Sequence, residues 1–352
     1  MIITFFTPTL KLSGGNLVMF RYAEALATSG HKVFVVAPAD EKKQEIRNGV
    51  IIKTFKKIPN KYIEHFFFEL LFLFQYYRIM EKSDIVIPIF FPLVLHSIFC
   101  KKLKKCRKVI PLFQDFKEMF WFGKYIYFLL RRKFVHNNID EIIAISDPIA
   151  EEIEKYSSLK PIVIKNSIDK EFFYKRNFEK ENYILFVGSS AKSKGFNYFL
   201  ESFKLLKNDF PSLKAKVVSP VTENFVKDDI EYINIHNDRN KLGELYSKAL
   251  VFVSQSLGDS FGLPPLEAMA CGTAVVLTDT VGSREYARDG ENCLVVPIKN
   301  PTKTAEAVKI LLQDKNLRKT FENAGMDTAK NYDWEKSIEK IALHIFKCGV
   351  KQ

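Results

Sequence analysis

The chain is poor in the residues that build small disulfide-stapled or fibrous proteins. Its 352 residues hold five cysteines, Cys100, Cys106, Cys271, Cys293 and Cys348. They are odd in number, scattered, and form no Cys-x-x-Cys pair, so a disulfide framework is excluded and reduced thiols are expected. Neither do they sit in a His-flanked spacing of the kind structural zinc takes. Glycine (15) and proline (14) are too sparse for collagen-like or low-complexity sequence. No apolar run reaches the roughly 20 residues that a membrane span needs. The stretch from Ile85 to Cys100 is broken by Pro88 and Pro92, and the one from Phe66 to Tyr77 carries Glu69 and Gln75. The N-terminal run MIITFFTP has no basic head and no small-residue cleavage site, so no export signal is expected and the reading is a cytoplasmic protein.

What is present is a globular composition, 47% apolar and 27% charged, in a chain long enough for two cores. Short apolar runs alternate with helical patterns, which predicts parallel sheets covered by helices. Expected strands in the first half are 2–6, 33–37, 50–54, 84–88, 108–112, 141–145 and 161–165. A second series starts at Tyr183 and continues at 215–219, 232–235, 250–254, 274–278 and 293–296. The predicted division is a first Rossmann-like domain over 1–165, a polar linker over 166–182, a second Rossmann-like domain over 183–331, and a final helix over 332–348 returning to the first domain. That helix is expected to bury Trp334, Ile338, Ile341, Ala342, Ile345 and Phe346, with Asp333 as its N-cap. Doubly wound sheets bind ligands at the carboxyl ends of their strands, so the expected fold is two such domains facing across a cleft.

The net charge of +12 is concentrated in the first domain, where residues 1–165 hold 26 Lys and Arg against 16 Asp and Glu. Basic residues cluster over 101–108 and at Arg131, Arg132 and Lys133, beside the aromatic stretch Met119–Phe128. Two readings stay open, a solvated basic face over core aromatics and a surface resting on anionic lipid through Trp121, Phe122, Tyr125 and Tyr127. No recognition motif supports nucleic acid as the partner.

The stretch Ser254–Tyr286 is the richest in chemistry. A strand ends in a Gly-containing loop, and Pro264 and Pro265 open a helix with Glu267 expected in its first turn. The amides of Ser260, Phe261, Gly262 and Leu263 suit a diphosphate. Glu267 is either an acceptor for a ribose 2′,3′-diol or an acid that favours the helix dipole. Gly14 and Gly15 either let backbone amides approach a phosphate or reacting sugar, or make a tight turn into a helix. Lys194 is either a cation for a departing diphosphate or an exposed loop lysine.

Four segments together resemble the retaining glycosyltransferases of family 4. SFGLPPLEAMACGTAVV is similar to the donor-site signature, with Asp259 and Glu267 at its two acidic positions. GSSAKSKG, Gly188 to Gly195, resembles the phosphate loop, VIKNSIDKEFF the interdomain segment, and SGGNLVMFRYAEALATSGHKV, Ser13 to Val33, the opening Gly-Gly loop and helix. The resemblance spans the chain in order and implies the GT-B fold. It also implies a retaining transfer of a hexose from a nucleotide-sugar co-substrate, with no other cofactor, to a glycan or lipid-linked acceptor. Donor contacts are expected from Gly14, Gly15, Gly188, Ser189, Lys194, Ser260, Phe261, Gly262, Leu263 and Glu267, and catalytic roles from Lys194, Asp259 and Asp115. With no Asp-x-Asp in a suitable loop, no divalent metal is expected in the reaction.

The departures narrow the resemblance. Ser189 stands where the family usually has an arginine, so a five-donor fork is replaced by one hydroxyl, and Asp259 is one methylene shorter than the usual glutamate. FQDF, with Gln114 and Asp115, replaces a common histidine; Asn16 and Gln114 are expected to contact the acceptor, or Gln114 and Asp115 to cap local structure. These features resemble members acting on bacterial surface polysaccharides, including rhamnosyltransferases, and imply work at the cytoplasmic face of the inner membrane. His31 and His136 are read as structural or surface residues. Two rival readings are a nucleotide-sugar epimerase on the same fold and a donor-binding subunit without turnover.

Overall fold

The computed structural model describes residues 1–10, 14–38, 48–56, 73–114, 138–155, 157–188, 191–220 and 224–350. Asp115, Ser189, His136, the Met119–Phe128 stretch and Arg131–Lys133 lie outside them. The chain divides into two compact units, Met1–Lys165 with Glu335–Gln352, and Asn166–Trp334.

In the first unit β1 (Ile2–Phe6), β2 (Lys32–Pro38), β3 (Val50–Phe55), β4 (Ser83–Pro88) and β5 (Cys106–Val109) form a parallel sheet in the order β3-β2-β1-β4-β5. Val33, Val35, Val36 and Ile87 are fully buried, as the continuous β-branched runs of a sheet covered on both faces require. The expected strand 108–112 is divided. Its start pairs in β5, while β6 (Leu112–Phe113) joins β7 (Ile143–Ala144) and β8 (Ile162–Val163) in a separate three-stranded parallel sheet. Pro111 separates them: it has no amide to continue a ladder, and its carbonyl accepts from the Ile143 amide at 2.9 Å. The unit therefore carries two sheets where the sequence suggested one.

The second unit holds a seven-stranded sheet, β11-β12-β10-β9-β13-β14-β15, from β9 (Glu181–Val187), β10 (Lys214–Val218), β11 (Phe225–Lys227), β12 (Ile230–Ile233), β13 (Ala249–Ser254), β14 (Ala274–Thr278) and β15 (Leu294–Val296). All pairs are parallel except β11–β12, a short antiparallel edge that the sequence pattern did not reveal. Residues Ile184, Phe186, Phe199, Val217, Val253, Val276 and Val308 form its core, each side chain contributing about 1.5–3 kcal/mol by burial.

The last helix, Trp334–Val350, buries Trp334, Ser337, Ile341, Ile345 and Cys348. That 3-4-4-3 spacing is a helical stripe, rotated from the expected one: Phe346 is 58% exposed and Cys348 takes its place. The Ser337 hydroxyl donates to the Lys165 carbonyl at 2.7 Å, and from Glu335 onward the helix belongs to the first unit.

Candidate active site

Strand order reverses in the second unit at β9 and β13, with β10 on one side and β14 on the other. At such a switch point the loops leaving the two strands diverge and open a crevice at their carboxyl ends. The described residues of these loops are 188, 191–195 and 255–262, within the two segments the sequence singled out. They are tied together by the Leu257 amide and the Ser256 hydroxyl, which donate to the Ser193 carbonyl at 2.8 and 3.1 Å. Gly195 has φ of 68° and lies so close to the Gln255 carbonyl that any Cβ would overlap it. Only glycine satisfies both the left-handed backbone and that approach.

This bracing brings Lys194 to Asp259. The ammonium donates to Oδ1 at 2.7 Å, with the two side chains 38% and 18% exposed. Gly188 precedes this corner, its amide donating to the Val218 carbonyl at 3.0 Å, and a Cβ there would press on the Phe186 ring at 3.1 Å and on the Lys194 Cβ at 3.4 Å. The segment after Asp259 is fixed from behind. The Gly282 amide donates to the Asp259 carbonyl at 2.9 Å, and the backbone of Ser260 and Phe261 rests directly on Gly282, where no side chain fits. The Phe261 ring is buried against Tyr286 and Tyr332, and the Tyr286 hydroxyl donates to the Gly262 carbonyl at 2.6 Å.

Gly262, at φ of 80°, then caps the helix Leu263–Ala270. The first amides of a helix have no acceptor within it and carry the positive end of its dipole. Pro264 and Pro265 lack amides, so the donors at this start are concentrated on the segment through Leu263.

Glu267 falls in the second turn of this helix, not the first as expected, because the helix begins at Leu263. It is buried, its Oε2 accepts from the Tyr246 hydroxyl at 3.1 Å, and its Oε1 is 3.9 Å from an Arg239 guanidinium nitrogen. Arg239 also pairs with Asp169. Desolvation raises the Glu267 carboxyl to about 7, against the opposing pull of Arg239 and the Tyr246 hydrogen bond. Tyr246 itself is pushed far up by burial and by the nearby carboxylate. The sequence pattern missed Tyr246 and Arg239; both lie on or beside the helix Arg239–Lys248, whose motif content is nil.

In the first unit, Gly14 and Gly15 open the helix Gly14–Thr28 after β1, at the β1/β4 reversal of strand order. A Cβ on Gly14 meets nothing within 4 Å, whereas one on Gly15 would stand 2.5 Å from Oε1 of Gln114. Gln114 thus lies on the helix start, and both polar atoms of its side-chain amide are buried with no hydrogen-bond partner among the described residues. Asn16 is used differently: its side chain accepts from the Thr7 hydroxyl at 3.0 Å and donates to the Thr9 carbonyl at 2.9 Å, bracing the loop that follows β1.

A doubly wound sheet with a helix start and a lysine at its switch point has the layout of an α/β unit that binds a ligand beyond its strand ends. Two family models match in succession, Glycosyltransferase Family 4 over residues 12–172 and Glycosyl transferases group 1 over residues 167–328. The chain belongs to the family 4, group 1 glycosyltransferases. It is 28% identical over 219 residues to an uncharacterized glycosyltransferase of Methanocaldococcus jannaschii, covering 61% of this chain and 60% of that one. It is 29% identical over 176 residues to the O-antigen chain mannosyltransferase of Salmonella typhimurium, covering 47% and 49%. The matches thus span about half to three-fifths of the length of these curated relatives. In fold the chain matches Anabaena HepE in complex with UDP-glucose, with a TM-score of 0.78, 13% identity, and 99% and 100% of the two chains covered. The two α/β units here share the GT-B fold of that structure. Among the described residues no helix is long and apolar enough to cross a membrane.

Proposed function

We propose that the chain transfers a hexose from a nucleotide-sugar to a glycan or lipid-linked acceptor in the assembly of a bacterial surface polysaccharide, with retention of anomeric configuration. The observation that carries this reading is the pairing of Lys194 with Asp259 beside the Gly262–Leu263 helix start. Phosphate oxygens are held by the backbone amides from Ser260 to Leu263, and Glu267 accepts the ribose hydroxyls. Lys194 exchanges its contact with Asp259 for the diphosphate as the glycosidic bond to phosphate breaks. Charge that develops there is met by a cation already fixed in place, which is the main electrostatic aid to such a transfer.

Among the described residues no second carboxylate is paired with Asp259 in the arrangement a double displacement needs. The proposed path is therefore front-face, with the departing phosphate oxygen taking the acceptor hydroxyl proton as the new bond forms. Gln114, held against Gly15 with an unsatisfied amide, offers a donor and an acceptor to a sugar hydroxyl in the first unit. Asp115 is assigned a catalytic role and Ser189 a donor contact on the resemblance of their segments alone. The placement at the cytoplasmic membrane face, with the basic aromatic segment against anionic lipid, is part of the same proposal and rests on the excess of Lys and Arg over Asp and Glu in residues 1–165.

The test is a thermal-shift screen of the full chain against nucleotide-sugars, since a ligand that binds the folded state raises Tm. It is followed by nucleotide release with and without acceptor glycans. One nucleotide-sugar should raise Tm, and release should depend on acceptor. Donor consumption without any acceptor would indicate the epimerase instead, and donor binding with no turnover under any acceptor would leave only a binding subunit.

A further inference from the structure

The last helix carries two metal-ligand side chains one turn apart, Cys348 in its buried stripe and His344 at the edge of that stripe, and a third residue, Glu141, meets them from the segment before β7. The sequence reading passed over this His and Cys pair because its third donor, Glu141, lies 207 residues from Cys348 in the chain and meets the pair only when the helix packs on the first unit. Nε2 of His344 lies 2.7 Å from Oε2 of Glu141, Sγ of Cys348 lies 3.2 Å from Oε1 of Glu141, and Sγ lies 3.6 Å from Nε2. Cys348 is buried, while Glu141 and His344 are half-buried.

Two arrangements of a thiol, an imidazole and a carboxylate are chemically useful, and the geometry separates them. A nucleophilic relay needs the carboxylate on one ring nitrogen and the thiol on the other. Here both approach Nε2, and one donor atom from each of the three residues lies within 4.8 Å of the other two. A tetrahedral ion bonded at roughly 2.0–2.3 Å spaces its donors about 3.3–3.6 Å apart. The Sγ–Nε2 and Sγ–Oε1 edges are already within a few tenths of an ångström of that spacing. The Nε2–carboxylate edge, 2.7 Å at Oε2, has to open by about 0.6–0.9 Å as the shared proton leaves, with Glu141 ligating through one of its two oxygens.

We propose that Glu141, His344 and Cys348 form a binding site for a divalent ion of the zinc type, with the fourth position open to water. One soft thiolate with one imidazole and one carboxylate is a donor set that zinc and cobalt accept and that magnesium and calcium do not. Binding releases the thiol proton, and the imidazole holds its remaining proton on Nδ1. Lys108 donates to the Cys348 carbonyl at 2.7 Å and fixes the helix end to the same unit. The ion clips the C-terminal helix to the segment at Glu141. Its role is structural and separate from the Lys194–Asp259 pair, and so does not rest on the transferase reading.

The experiment is titration of the chelator-treated full chain with Co(II), followed by absorption, and with Zn(II), followed by Tm. Expected are one equivalent of Co(II), a near-ultraviolet thiolate-to-cobalt charge-transfer band with the intense visible bands of a tetrahedral ion, and a rise in Tm with Zn(II). Cys348→Ser should abolish the charge-transfer band and His344→Gln should weaken Zn(II) binding at least ten-fold, with the circular dichroism of the metal-free protein unchanged. Should Cys348→Ser fail to fold, Glu141→Gln, which keeps the size and a hydrogen bond, replaces it and should weaken binding by the same order. Absence of saturable binding in the wild-type chain, an octahedral cobalt spectrum, or a charge-transfer band that survives loss of the thiol overturns the site.

Discussion

Replacing Lys194 by alanine separates catalysis from folding at the proposed donor site. The ammonium is 2.7 Å from Asp259, but its side chain is 38% exposed. A pair at that distance is worth several kcal/mol at an effective dielectric of about 20, and solvent screening and side-chain entropy cut its share of folding stability to about 1 kcal/mol or less. Tm should therefore move by only a few degrees. Turnover should fall much further, because a fixed cation facing charge that develops in the transition state is worth about 3–4 kcal/mol, or roughly 10²–10³ in rate. Removing Lys194 also leaves the Asp259 carboxylate to face the diphosphate unneutralised. Lys194→Ala with Asp259→Asn should recover part of the lost donor affinity without recovering turnover. The assay is acceptor-dependent nucleotide release under saturating donor, with calorimetry for donor affinity and a melting curve for each variant. Unchanged turnover in Lys194→Ala removes the lysine from the mechanism, and a large loss of Tm with proportionate loss of turnover reduces it to a structural brace.

The remaining expectations follow from burial and close approach. Burial raises the Glu267 carboxyl from its ordinary 4.5 to about 7, and only the carboxylate accepts both ribose hydrogen bonds, so donor affinity should rise with pH up to about 7 and level off above it. Stability runs the other way: with the folded value raised, the contribution of Glu267 is full below about 4.5 and is lost as pH rises through about 7. Glu267→Gln should flatten both profiles, and a wild-type-like affinity profile in that variant would assign the titration to another group. Gly195→Ala should cost at least about 2 kcal/mol by chemical denaturation, since the new Cβ meets the Gln255 carbonyl at a left-handed backbone; a cost below about 0.5 kcal/mol would show that the loop gives way. Gly15→Ala pushes its Cβ onto the Gln114 amide, so KM for acceptor should rise about ten-fold or more with donor affinity and Tm nearly unchanged, and an effect on donor affinity alone would move Gln114 out of the acceptor site.

Much of the architecture was legible because it is local. The alternation of β-branched runs with helical stripes located β1 to β4, β9, β13 and β14 within a residue or two, and Gly262, Pro264 and Pro265 marked a helix start that the structure has at Leu263. The misreadings share a cause. Pro111 sends one apolar run into two sheets, the β11–β12 edge is three residues long, and Phe346 is apolar yet exposed. Each depends on which neighbour a residue meets, which hydrophobic period does not encode.

The sequence by itself determined the two α/β units, the family, and the backbone donors at the loops after β9 and β13, since glycine, proline and strand period act within a few residues of chain. Only the tertiary structure decided the chemistry of the side chains. It set Lys194 on Asp259 across 65 residues of sequence, and brought Cys348 to Glu141 across 207. It also buried Glu267 beside Tyr246 and Arg239, where its charge state is tuned. Charge pairing, desolvation and metal-donor spacing depend on distance in space, and distance in space is what a linear pattern leaves open.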